Sequence, residues 1–179
     1  MLNYGTLKNW EIVGEFDVQV YKEGEDRNTE LKEPALFLKG ILRQGILQDQ
    51  EGPSLAIEFG VLFPSTVRGE RDFGVEGIVI LSGKIHDFVY HLNVGGGIDR
   101  ENFGPNGIWG LILEYPFEGR LRIVGEVNGE VKEDSPSESS GLLGLIWEIG
   151  KIDFDYGIRK GISDAALDWE ITTGVTFPF

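Results

Sequence analysis

The stretch LDWEITTGVTFPF, residues 167–179, decides how the whole chain is read. Its odd positions are Leu167, Trp169, Ile171, Thr173, Val175, Phe177 and Phe179, and its even ones are Asp168, Glu170, Thr172, Gly174, Thr176 and Pro178. A period of two held over that length is a strand with one apolar and one wet face. Chain ends usually fray, because they have too few neighbours to offset their ordering entropy. An aromatic inside the last strand fits instead a closed sheet whose rim meets water, as in a transmembrane β-barrel.

The same period recurs upstream. Residues 10–21 set Trp10, Ile12, Phe16, Val18 and Val20 against Glu11, Glu15, Asp17 and Gln19, and residues 121–131 set Leu121, Ile123 and Val127 against Arg122, Glu126 and Glu130. Further strands are expected over 35–44, 54–63, 73–82, 87–94, 108–115, 141–149 and 152–159, with Leu2 to Gly5 a remnant of an earlier one. Register is weakest over 73–82, where Ile78 and Ile80 put branched aliphatics on the second face as well.

Between the strands, 22–33 is a charged run without apolar period, 65–72 is polar, 95–107 is rich in Gly, Asn and Asp, 132–140 is acidic and Ser-rich, and 160–166 leads into the last strand. These read as loops. Much shorter turns are expected at 48–53, Gly83-Lys84, 116–119 and Gly150-Lys151. Alternation of long and short connections places all long ones at one rim and all short ones at the other. Outer-membrane barrels have this asymmetry, with short turns on the periplasmic side. The expected fold is all-β: one up-and-down antiparallel transmembrane barrel over residues 1–179, of about ten strands (10–12), with both termini periplasmic.

Composition is compatible with this. Hydrophobic residues make up 41% and mean hydropathy is -0.11, because only every second residue of such a strand meets lipid. Glycine, at 26 of 179, is about twice its usual ~7% share and falls largely inside the alternating runs, where it eases bending and close packing. A net charge of -14, with no cluster of Lys and Arg, disfavours nucleic acid as a partner. The absence of cysteine removes disulfides, thiolate nucleophiles and Cys-ligated zinc together.

If the richer apolar face points outward, the candidate lumen-lining residues are Glu58, Glu76, His91, Asn93, Arg122, Glu126, Glu148, Asp153, Asp155, Arg159, Asp168 and Glu170, accompanied by Glu11, Glu15, Asp17, Lys39, Arg43 and Glu114. Such a set serves either as a cation-favouring path or as a plug in which the basic side chains pair with carboxylates. No catalytic residues, cofactor or metal are assigned: His91 lacks a matched nucleophile in the sequence, His86 sits in a turn, and Asp153 with Asp155 reads as a pair of solvated or Arg-paired acids. Trp10, Trp109, Trp147, Trp169, Tyr90, Tyr115 and Tyr156 fall on the apolar face, several near strand ends, as an interfacial belt requires.

From residue 54 to 179, the run SLAIEFGVLFPS, the strand beginning HLNVGGG, the stretch RIVGEVNGE and the ending Asp-Ala-Ala-Leu-Asp-Trp with its Gly strand and final Phe resemble the outer-membrane barrel family labelled for the MetA pathway of phenol degradation. The likeness extends back to NYGTLKNWEIVGEFDVQVY. It implies a bacterial outer-membrane location and transport of small solutes, aromatic or hydrophobic ones included. It supplies no functional residues to carry over. Family members begin with a signal peptide and a further strand before the NYG segment, so the resemblance implies either a barrel shortened to about ten strands or an N-terminal truncation. Expected partners are membrane lipid or detergent around the barrel, an unidentified small solute, and the outer-membrane assembly machinery through the C-terminal strand. The competing readings are a soluble lipocalin-like barrel holding a small apolar ligand, with the apolar face inward, and an outer-membrane barrel enzyme.

Overall fold

A computed structural model describes residues 2–23, 26–65, 72–100, 103–133, 135–150, 152–166 and 168–176, with side chains apart from those of residues 2 and 16–33. The expectations for Leu167, Phe177, Pro178 and Phe179, and for the side chain of Asp17, lie outside these residues. Eleven strands form one sheet: β1 (Leu2–Leu7), β2 (Trp10–Glu23), β3 (Asp26–Arg43), β4 (Ser54–Leu62), β5 (Gly74–Ile85), β6 (Phe88–Ile98), β7 (Pro105–Glu118), β8 (Leu121–Lys132), β9 (Glu138–Ile149), β10 (Ile152–Gly161) and β11 (Trp169–Thr176). Each pairs antiparallel with its sequence neighbours, in the order β1 to β11. Among the described residues, β1 pairs only with β2 and β11 only with β10.

Connections at one end are the two-residue turns 8–9, 86–87, 119–120 and 150–151, together with 44–53, which holds a 3-10 turn at Ile46–Gln48. The other end carries 63–73, 99–104, 133–137 and 162–168. Apart from 44–53 at the first end and the short connection between Glu23 and Asp26 at the other, the asymmetry expected from the sequence is present. The tight turns need a positive φ, supplied by Gly119 and Gly150 at 53° and 69° and by Asn9 and His86 at 68° and 55°.

Several expected boundaries move. The charged run 22–33 is not a loop: Lys22 pairs with Arg27 and Glu23 with Asp26, in a hairpin extending beyond β4, whose pairing with β3 stops at Ala35 and Leu62. A backbone ladder needs no apolar face, so composition alone misjudged it. The reversal expected at Gly83-Lys84 lies at His86-Asp87. The loop expected over 95–107 shrinks to 99–104, because Gly95, Gly96 and Gly97 are laddered on both sides, to β5 and to β7. A Cβ at Gly97 would meet the Val75 carbonyl oxygen, so these glycines permit an approach that turn composition disguises. The stretch expected as the end of an earlier strand is laddered as β1, six residues paired with the Trp10–Gly14 part of β2. With eleven strands, β1 and β11 run in the same direction, toward the short-turn end. The expectation that both ends of the sheet's chain lie at one rim therefore gives way: β11 finishes at that rim, whereas β1 starts opposite Gly14, partway along β2.

The sheet is curled, since residues from β2 through β8 line one cavity and residues from β5 through β11 another. Its convex face is apolar. Leu145 is 44% exposed, Trp147 55% and Val79 49%, and from Leu36 onward the outward strand positions of the described residues carry few charges: Lys160, and at strand ends beyond a register shift Arg43 and Glu118, opposite Leu55 and Leu121. Aromatic rings gather toward both ends: Trp10, Phe88, Tyr115, Phe117, Trp147 and Phe154 near the short turns, and Phe63, Phe73, Phe103, Trp109 and Trp169 near the long connections. Trp10, Tyr90 and Trp109 each lie across a directly paired glycine, Gly40, Gly83 and Gly129, where an added Cβ would fall 2.5–2.8 Å from the ring. The rings thereby cover backbone that glycine leaves bare. Lys160 stands 5.1 Å over the Trp169 ring at the long-connection end.

No conventional core accompanies this. The buried apolar side chains among the described residues are few and mostly small, and one cluster joins Val13, Ala35 and Phe37, with Leu62 against it, on the concave side.

Candidate functional site

The concave face is where the strands deliver their polar positions. Because the register is unbroken from β5 through β10 apart from a shift near Pro116, every second residue of each strand points there, and side chains on adjacent strands meet in diagonal chains.

One chain runs near the short-turn end. Ser82 and His91, directly paired on β5 and β6, are joined by a 2.8 Å contact between Oγ and Nδ1. His91 Nε2 lies 3.4 Å from Glu114 Oε1 on β7. A carboxylate only accepts, so Nε2 donates in that contact, and in the neutral ring Nδ1 accepts from the serine hydroxyl. Arg122 Nη1 donates to the other Glu114 oxygen at 2.8 Å, and its Nη2 donates to Asp153 on β10 at 2.9 Å, spanning β9. The order Ser, His, Glu is that of an acyl-transfer triad. Ser82 is buried, however, and none of the cavities described below is lined by these three residues. The contacts link β5, β6, β7, β8 and β10 across the concave face.

A second chain closes on itself. Arg159 on β10 donates to Ser140 Oγ at 2.9 Å and to Glu126 Oε1 at 3.0 Å. Ser140 donates to Asn128 Oδ1 at 2.6 Å, and Asn128 Nδ2 returns to Glu126 Oε1 at 2.6 Å. Arg159 Nε also faces Glu170 on β11 at 3.4 Å. A third, looser set places Lys39 Nζ 3.7 Å from both Glu11 and Glu58. At the long-connection end, Lys132 meets Asp99 at 2.9 Å and Arg100 donates to the Phe63 carbonyl at 2.9 Å.

Three cavities lie along this face. The largest, about 400 Å³, is lined by Asn93, Glu126, Asn128, Glu130, Ser140, Arg159 and Glu170, with Ile78, Ile108 and Ile112 beneath. A second, about 270 Å³, is bounded by Glu15, Glu76, Asn106, Glu130, Asp99, Arg100 and Lys132. The third, about 330 Å³, takes Glu126, Asp153, Asp155, Arg159, Thr172 and Thr176. Asn93 Oδ1 and Asn106 Oδ1 are buried without a hydrogen-bond partner among the described residues, each in a residue that lines a cavity.

Of the lumen candidates, Glu58, Glu76, His91, Asn93, Arg122, Glu126, Asp153, Asp155, Arg159 and Glu170 occupy this face. Glu148, near the end of β9, is exposed, and Asp168 precedes β11 and is exposed as well; both stand at the rims. The spacing puts Ser82, Asn128 and Glu130 on the polar face, although they are not among the lumen candidates, and gives no role to Asn106, Lys132 or Ser140. Continuing the parity of Ile108 back to Asn106, and of Glu130 forward to Lys132, was the signal that the turn-like composition masked. Among the described residues, no group of three or more His, Asp or Glu is placed to hold a metal ion.

Comparison with protein-family models finds no match, and a search of curated proteins finds none either.

Proposed function

We propose that the protein is a Gram-negative outer-membrane β-barrel, closed by the approach of β1 and β11, that conducts small solutes through its polar interior. The observation that carries this is the inversion of faces: a convex surface of Leu, Ile, Val and aromatic side chains with rings toward both ends, over a concave surface of cross-strand ion pairs. A water-soluble carrier has the reverse need, since an exposed apolar face this continuous invites association. Strands of 8–14 residues in the body of the sheet match the ~9–11 that a tilted strand uses to cross hydrocarbon. No helix of the described residues is long and apolar enough to cross a membrane, a requirement that barrels do not have. The likeness of the segments from SLAIEFGVLFPS to the C-terminal strand leans the same way.

The test is refolding from urea into phospholipid vesicles. Expected are flotation with the lipid, β-rich circular dichroism, and migration on unboiled gels that differs from the boiled sample. A monodisperse folded protein in plain buffer, indifferent to added lipid, would overturn the reading.

A further inference from the structure

The three cavities share walls. The 270 and 400 Å³ cavities meet at Glu130, and the 400 and 330 Å³ cavities meet at Glu126 and Arg159. The first two adjoin the long connections, through Asp99, Arg100, Lys132 and Ser139. The third reaches Asp153 and Thr176, the short-turn ends of β10 and β11. Taken together they run from one end of the sheet to the other, interrupted where Arg159 crosses to Glu126 at 3.0 Å. The side chains of that pair are 22% and 18% exposed, so it is a partition inside the structure and not a surface contact.

We infer that this chain of cavities is a path for small cations, and that the Arg159–Glu126 pair is its gate. The inference rests on the barrel reading above. Two features select the charge of the solute. Carboxylates outnumber cationic side chains along the walls, and a narrow low-dielectric passage focuses their field. Independently, the amide oxygens of Asn93 and Asn106 are acceptors with no donor among the described residues, and a buried acceptor is satisfied by water or by a cation but not by an anion without a hydrogen to donate, such as chloride. The cavities are of a size for a partly hydrated alkali ion or a small ammonium compound. Arg159 supplies the one positive charge at the partition. With it held by Glu126, Ser140 and Glu170 the passage is closed, and its withdrawal joins the cavities on either side.

The experiment is single-channel recording in planar phospholipid bilayers under a KCl gradient, on the wild type, Arg159→Gln and Glu126→Gln. Gel mobility and circular dichroism in vesicles confirm the fold of each. Both substitutions break the pair, so each is expected to raise the open conductance or open time severalfold. They are expected to move the reversal potential in opposite directions: Arg159→Gln toward the potassium limit, and Glu126→Gln away from it. Inserted, folded barrels that stay silent in all three forms would show a permanent plug and overturn the inference while leaving the barrel reading intact. A reversal potential on the chloride side in the wild type or in Arg159→Gln would do the same. Failure of all three to insert, with folding in plain buffer, overturns the barrel reading itself. If one variant does not fold, the sign of the shift in the other still decides.

Discussion

Leu145 and Glu126 show the inversion one residue at a time. Leu145 sits outward on β9 with 44% of its surface exposed, whereas the Glu126 side chain on the neighbouring strand is 18% exposed and held by Arg159 and Asn128. Leu145→Arg is expected to cost about 2–4 kcal/mol in urea titrations of vesicle-inserted protein, and Val79→Asp somewhat less. A cost for Glu126→Leu far above both would mean that the faces are reversed. Glycines give a sharper local check. Gly97→Ala places a methyl against the Val75 carbonyl and 3.0 Å from the Glu76 Cα, so a loss of about 1–3 kcal/mol is expected. Gly125, on the outward face of β8, has nothing within 4 Å of the added Cβ, and Gly125→Ala should gain about 0.4–1 kcal/mol by restricting the unfolded chain. The same refolding assay reads both. Which residues share a face was legible from parity alone, and Trp169, Ile171 and Val175 lie outward as their spacing required. Which partners they meet was not, because the Ser140 hydroxyl that completes the Arg159 ring has no signature in sequence.

At the scale of elements, β8 to β10 are tied twice over. Arg122 reaches across β9 to Asp153, over the position of its direct pair Ile146, while Arg159 reaches back across β9 to Glu126. Side chains that skip a strand on the concave face hold curvature that the hydrogen-bond ladder alone does not specify. A double-mutant cycle of Arg122→Ala and Asp153→Ala, 2.9 Å apart, should therefore show a coupling of about 0.5–3 kcal/mol in lipid, whereas Lys39→Ala with Glu11→Ala, equally exposed but 3.7 Å apart, should give less than about 1 kcal/mol. Strand existence was readable wherever period two was clean. Strand length was not: the Gly-rich 95–97 and the charged 22–33 have the composition of loops, because composition reports what a side chain prefers, whereas a ladder is made by backbone.

For the whole molecule, the environment is part of the fold. On the barrel reading proposed above, burial in water drives little of the folding, and acyl chains or detergent cover what a soluble domain would hide. Stepwise dilution of detergent below its micellar threshold is expected to precipitate the protein, and retention of a single species in light scattering would count against that account. Topology, an up-and-down meander with turns short at one end, could be taken from the order and spacing of the segments. Closure could not, since it depends on two edges more than a hundred and fifty residues apart in sequence.

Those two edges point the same way. Were they to zip together, the seam would be the one parallel ladder in an otherwise antiparallel ribbon, with slanted and slightly weaker bonds. Deuterium uptake should accordingly begin at amides of β1 and β11 and travel inward, reaching β6, farthest from either margin, last.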